Sequence, residues 1–146
     1  MMKIYLASRY IRREEMVGYA AELRVIGHEI TSRWINGGHQ IPHGLGHGVD
    51  VDFARRFANE DVEDIIAADC LIAFTETEGD GYTGRGGRHV EFGLGLAMYK
   101  EIVVVGYREN VFCYLPQVHY FAQWQDALGS YFTTRWEMES LRCPTP

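Results

Sequence analysis

Asp52–Phe74 reads DFARRFANEDVEDIIAADCLIAF. In its first part Phe53, Phe57, Val62, Ile65 and Ile66 recur at helical spacing, which predicts a helix over Asp52–Ala68. Its last five residues, Cys70–Phe74, form an unbroken apolar run. Such a run predicts a strand buried on both faces. A helix feeding a doubly covered strand is the repeating unit of a parallel α/β sheet.

The same unit recurs on either side. Upstream, Lys3–Ser8 (KIYLAS) reads as a short buried strand. It opens into a helix over Tyr10–Ile26, where Met16, Tyr19, Ala20, Leu23 and Ile26 share a face. Gly27 suits the left-handed residue that closes a helix. His28–Trp34 (HEITSRW) alternates like a second strand. Downstream, Arg88–Tyr99 reads as a helix, Ile102–Gly106 (IVVVG) as a strand and Gln117–Gln123 as a short fifth strand. Trp124–Ser140 reads as a C-terminal helix carrying Leu128, Tyr131, Phe132 and Trp136. Cys143–Pro146 reads as a frayed tail. Two glycine-rich loops interrupt this order, Asn36–Val51 and Thr75–Gly87. The first is long enough to read as a functional or mobile segment. The expectation is one domain over residues 1–146, with a doubly wound, flavodoxin-like parallel sheet of about five strands. Ligands of such sheets bind outside the carboxyl ends of the strands. That rule points to Ala7-Ser8-Arg9 and to Glu76 through Glu91.

Composition narrows the function. The chain has 146 residues, 47% of them hydrophobic, enough for a sizeable core without disulfides or metal. Its formal net charge of -6 disfavours a nucleic-acid partner, which needs clustered Lys and Arg. Cys70, Cys113 and Cys143 are scattered and form no CxxC. They fit reduced thiols in a cytoplasmic setting. No apolar stretch approaches the length of a membrane span, and the opening residues do not read as a signal peptide.

Chemistry concentrates in Gly84-Arg-Gly-Gly-Arg-His-Val-Glu-Phe-Gly93. A glycine-rich loop feeds a helix, with Glu91 expected in or near the first turn. The helix N-terminus favours an ionised carboxylate there. Gly86 and Gly87 permit close approach of backbone to a ligand. Gly93, Gly95 and Ala97 are small enough to let the helix lie close to the sheet. Arg85 and Arg88 add charge that suits an anion. The pattern is neither the dinucleotide fingerprint nor a P-loop.

Five pieces occur in order: Lys3-Ile-Tyr-Leu-Ala-Ser8, Gly27-His-Glu-Ile-Thr-Ser-Arg-Trp34, Ala68-Asp-Cys-Leu-Ile72, Gly86-Gly-Arg-His-Val-Glu-Phe-Gly93 and Arg108-Glu-Asn-Val-Phe112. Together they resemble the nucleoside 2-deoxyribosyltransferase family, over roughly residues 3–128. The resemblance implies roles. Glu91 matches the nucleophile that forms a glycosyl-enzyme ester, and Tyr5 a tyrosine that orients it. Asp69 matches an aspartate that contacts and helps protonate the leaving base. Asn110 matches an asparagine that reaches a neighbouring subunit's site, which implies a homo-oligomer with shared sites. Ser8 and Arg9 lie where the first-strand loop approaches the sugar. One departure stands out, since Arg85 occupies a position that is an aspartate in some transferases. In related hydrolases of nucleoside 5'-monophosphates this loop helps bind phosphate, a role that Arg85, Arg88 and Arg9 also suit.

The residues themselves leave alternatives open. Asp69 also reads as a strand-end acid capping nearby N–H groups, Tyr5 as core packing and Asn110 as a helix cap. An apolar run at Ala67-Ala68 would raise the Asp69 carboxyl by desolvation. Trp34 fits either a base-stacking ring or a buried one. His39, His43 and His47 have the spacing of metal ligands, but Pro42 and the glycines argue against the helix that would converge them. No metal and no cofactor is assigned. The aromatic C-terminal helix suggests a subunit contact. The implied function is transfer of 2-deoxyribose between bases, with free nucleoside and free base as partners. Hydrolysis of nucleoside 5'-monophosphates is the alternative, and a non-catalytic nucleotide-binding module a further one.

Overall fold

The computed structural model describes residues 1–38, 50–76 and 86–134. Five parallel strands form a sheet among them: β1 Lys3–Ala7, β2 Glu29–Ile30, β3 Cys70–Phe74, β4 Glu101–Val105 and β5 Val118–Phe121. Their order is β2-β1-β3-β4-β5. The helices are α1 Arg13–Val25, α2 Val51–Ala67, α3 Gly87–Ala97 and α4 Trp124–Ala127, which runs on as π-helical Leu128–Thr133. This is the doubly wound α/β arrangement predicted from the apolar runs. No described helix is long and apolar enough to cross a membrane.

The winding reverses beside β1. β2 lies to one side of it and β3, β4 and β5 to the other, which makes a switch point at the carboxyl ends of β1 and β3. α1 and α4 meet through the stacked rings of Tyr19 and Trp124, and α2 packs against α3. Reversed winding with right-handed crossovers puts these two pairs on opposite faces of the sheet.

The core follows from the strands. Ile4, Leu6, Leu71, Ile72 and Ile102 have no exposed surface, each contributing about 1.5–3 kcal/mol by burial. α1 buries Met16, Ala20 and Leu23, three of the five residues its spacing predicts. Gly27, at φ 84°, closes it as expected. The Gly27 N–H donates to Arg24 O and the His28 N–H to Leu23 O, the two bonds of a Schellman motif. Gly95 lets α3 lie on the sheet, because a Cβ there would stand 2.9 Å from Ile102 Cδ1. Gly93 and Ala97 are exposed instead.

Three expectations change. The second strand is only Glu29–Ile30, and Arg33–Asn36 is a 3-10 turn. Side chains take over the pairing there: Ser32 Oγ accepts the Leu6 N–H at 2.6 Å, and Asp64 accepts the Arg33 N–H at 2.8 Å. Trp34 is buried, its Nε1 donating to Leu6 O at 2.8 Å, so it is core and not a base-stacking ring. The C-terminal aromatics also turn inward. Phe132 is fully buried against Trp124 and His28, and Tyr131 packs on His119 and Phe121. They complete the chain's own core, so they do not supply a free aromatic face. Trp136, Cys143, Arg85, the three histidines of the long loop and most of that loop lie outside the described residues.

Candidate active site

α3 begins at Gly86, whose φ of 80° is left-handed and favours glycine. A Cβ at Gly86 or Gly87 would meet no atom within 4 Å, so the requirement at Gly86 is conformational. Glu91 falls in the second turn, since the first turn holds no acid. From there its side chain reaches across β1. The buried Tyr5 hydroxyl donates to Glu91 Oε1 at 3.1 Å. Glu91 Oε2 is shielded from solvent with no hydrogen-bond partner among the described residues, and so is Ser8 Oγ at the end of β1.

The electrostatics invert the reason the glycine-rich segment suggests. A helix N-terminus would keep Glu91 ionised. Its carboxyl is instead raised from 4.5 to about 8. Burial is the main cause and the Asp61 charge the second, while the Tyr5 hydrogen bond and the Arg88 charge pull the other way. Tyr5 is pushed well above its ordinary value by burial and then by Glu91, so its hydroxyl keeps its proton and acts as donor.

Asp61 is the site residue that sequence reasoning does not find. It lies on α2, half-buried, and its charge reaches both Glu91 and Tyr5. A signal is present. Phe57, Asp61, Asp64, Ile65 and Ala68 lie at helical spacing, and of these Phe57, Asp64, Ile65 and Ala68 are buried. Phe53, Val62 and Ile66, expected to share the apolar face, are exposed. Two acids thus occupy the core-facing stripe of α2. Asp64 is satisfied by the Arg33 backbone N–H and by Arg33 Nε at 2.7 Å, while the Asp61 charge raises the Glu91 carboxyl.

Other expected residues are placed elsewhere. Asp69 precedes β3 at the amino-terminal edge of the sheet, whereas the switch point is at the carboxyl edge. It is exposed, and its Oδ2 accepts the Lys3 N–H at 2.8 Å. That is the capping reading, and exposure removes the burial that an acid role required. Arg88 is buried and forked onto Glu109, at 2.6 and 3.0 Å, with a further bond to Phe74 O. Its guanidinium is committed internally, which does not fit phosphate binding. Arg9 pairs with Glu76 at 3.5 Å, and Arg12 with Glu15 at 2.7 Å. Asn110 caps the 3-10 turn Val111–Tyr114, its Oδ1 accepting the Phe112 N–H at 3.0 Å. It also lines a groove of roughly 790 Å³ on the far side of α3, with Phe92, Leu96, Phe112 and Leu115.

The structure therefore joins Tyr5 to Glu91, with the Asp61 charge acting on both and Ser8 Oγ just beyond the end of β1. A carboxylate with one undirected oxygen, a phenol that orients the other, and a second acid can perform nucleophilic and general-acid chemistry.

No family model and no curated protein matches the sequence. Solved structures do. The 2-deoxyribosyltransferase of the psychrotolerant bacterium Bacillus psychrosaccharolyticus is similar with a TM-score of 0.64 and 25% identity, over 90% of this chain and 94% of that one. A CMP N-glycosidase, BcmB, of Clostridium botulinum aligns with a TM-score of 0.56 and 18% identity, over 88% of this chain and 96% of that one. Both act on N-glycosidic bonds and match the family resemblance drawn from the five sequence pieces.

Proposed function

We propose that the chain cleaves the N-glycosidic bond of 2'-deoxynucleosides and transfers the sugar to a second base. The observation that carries this reading is the Tyr5–Glu91 pair, on which the Asp61 charge acts. Glu91 retains its proton near neutrality, and the reaction needs one. A Glu91 oxygen bonds to the anomeric carbon as the bond from that carbon to the base nitrogen breaks. The electron pair leaves with the base, which takes, through Asp61, the proton that Glu91 gives up as it attacks. A second base then attacks the same carbon, displaces Glu91 and returns its proton to Asp61. Covalent capture splits one difficult displacement into two easier ones. Tyr5 holds one Glu91 oxygen, which leaves the other directed at the sugar.

The arginines favour an uncharged 5' end. Among the described residues Arg9, Arg12 and Arg88 are each engaged by Glu76, Glu15 or Glu109, so the charge of these three is already compensated. Ser8 Oγ supplies a neutral contact of the kind a 5'-hydroxyl needs. The reading includes a homo-oligomer. The groove beside Asn110 is lined by exposed Phe112, and Val111 and Tyr114 are exposed on the same 3-10 turn, which supports a subunit contact that carries Asn110 to a neighbouring site.

The deciding experiment incubates the protein with a deoxynucleoside, with and without a different free base, and resolves the products. Appearance of the new nucleoside supports transfer. Free sugar alone, or strong preference for the 5'-monophosphate, would replace this reading with hydrolysis.

A further inference from the structure

Arg88 enters the interior from the first turn of α3. Its guanidinium donates to Glu109 Oε2 at 2.6 Å, to Glu109 Oε1 at 3.0 Å and to Phe74 O at 3.2 Å. Glu109 Oε1 also accepts the Glu76 N–H at 3.0 Å. One fork thus joins the exit of β3, the start of α3 and the segment after β4. That start has no side-chain cap at Gly86 and no acid in its first turn, so the fork is its polar anchor. Glu91 stands three residues beyond Arg88, a neighbour along the helix surface.

We infer that Arg88 and Glu109 are positioning residues for Glu91: their fork sets where the first turns of α3 sit, and holds a compensated positive charge one turn from the carboxylate. The inference rests on Glu91 being the attacking group. Geometry of this kind matters because a reacting atom displaced by about 1 Å costs on the order of a hundredfold in rate. A buried ion pair is weak support for stability, since apolar residues of similar volume often replace it without loss.

The charges facing Glu91 assign a sign to each half of the fork. Tyr5 faces it from β1, Asp61 from α2 and Arg88 from α3, with Asp64 of α2 acting on Tyr5. Arg88 is the positive member of this set. Arg88→Met removes it and leaves the Glu109 charge behind, so the Glu91 midpoint rises. Glu109→Gln leaves Arg88 uncompensated, so the midpoint falls. A role in packing alone does not produce opposite shifts from two halves of one pair.

The test is a carbon NMR titration of glutamate-labelled protein, with the Glu91 signal identified by its loss in Glu91→Gln. The wild-type midpoint is expected at about 8. Arg88→Met should move it up and Glu109→Gln down, each by roughly one unit, with kcat reduced about ten- to a hundredfold and KM little changed. The double variant Arg88→Met/Glu109→Leu removes both charges of the fork, and carries the test where a single variant unfolds. It should melt within a few degrees of wild type yet lose about tenfold in kcat. Shifts of the same sign, unmoved midpoints, or a double variant with wild-type kcat would overturn the inference. The titration does not depend on turnover. Failure of the catalytic reading shows separately, as full activity of Glu91→Ala.

Discussion

Two acids at opposite edges of the sheet show what distinguishes a reactive group from a structural one. Asp69, at the amino-terminal edge, is exposed and takes the Lys3 N–H; it completes a strand end. Glu91, bonded to Tyr5 at the middle of β1, has one oxygen held there and the other with no partner among the described residues, while Asp61 adds like charge. The first acid satisfies backbone that would otherwise lack a partner. The second is kept short of donors, which a stable fold does not need and a nucleophile does. Arg9, Arg12 and Arg88 follow the first pattern, each tied to an acid.

The largest effect that would break this contrast is at Glu91 itself. Glu91→Ala should lower turnover at least about a thousandfold with the fold intact, and near wild-type turnover would remove the assignment. Its raised carboxyl also has a stability consequence. The folded protein keeps a proton that the unfolded chain releases near 4.5, so this group costs stability as pH rises from about 4.5 to about 8 and no more above that. Glu91→Gln should therefore melt higher than wild type at pH 9, by about 3–10 °C, and lose that advantage near pH 4. Equal melting points at both pH values would show that Glu91 is not desolvated.

Asp61 sharpens the contrast next. If the active form carries one proton between Glu91 and Asp61, kcat/KM should fall as pH rises through about 8. In Asp61→Asn the like charge is gone, so Glu91 ionises at lower pH and the alkaline fall should disappear. Turnover should drop about a hundred- to a thousandfold, most for bases that leave poorly. Activity that instead increases through pH 8 in wild type would mean that Asp61 tunes Glu91 but donates no proton. Tyr5→Phe should cost less, roughly ten- to a hundredfold, and should raise the Glu91 midpoint because the hydroxyl favours the ionised form.

Legibility in the sequence divides along the same line. The sheet is readable because Cys70–Phe74 and Glu101–Val105 bury nearly every side chain. Unbroken apolar runs that short are too brief for a buried helix and fit strands covered on both faces. Glu91 and Tyr5 are readable from the family resemblance, though for a wrong electrostatic reason: a position one turn too early exchanges dipole stabilisation for burial. The rest depends on partners far apart in sequence. Arg88 meets Glu109 across 21 residues and Arg33 meets Asp64 across 31, and spacing along the chain reports neither. Asp61 is hidden by counting Val62 and Ile66 as core, which rotates the apparent face of α2.

The smallest effect belongs to Asp69, and it tests the comparison from the other side. Its bond to the Lys3 N–H is made at an exposed edge, where water competes for the same donor. An exposed bond of this kind contributes about 0.5–1.5 kcal/mol. In Asp69→Asn the amide oxygen can still accept that N–H, so the melting temperature should fall by no more than about 2–4 °C. Turnover and the pH profile should stay within about twofold of wild type, because the bond that Asp69 makes is to the Lys3 backbone and not to Tyr5 or Glu91. A loss approaching that of Asp61→Asn would return the acid role to Asp69 and would require the two edges to meet, for instance through a neighbouring subunit. Kinetics of both asparagine variants, measured on one substrate at one pH, decide between the two aspartates.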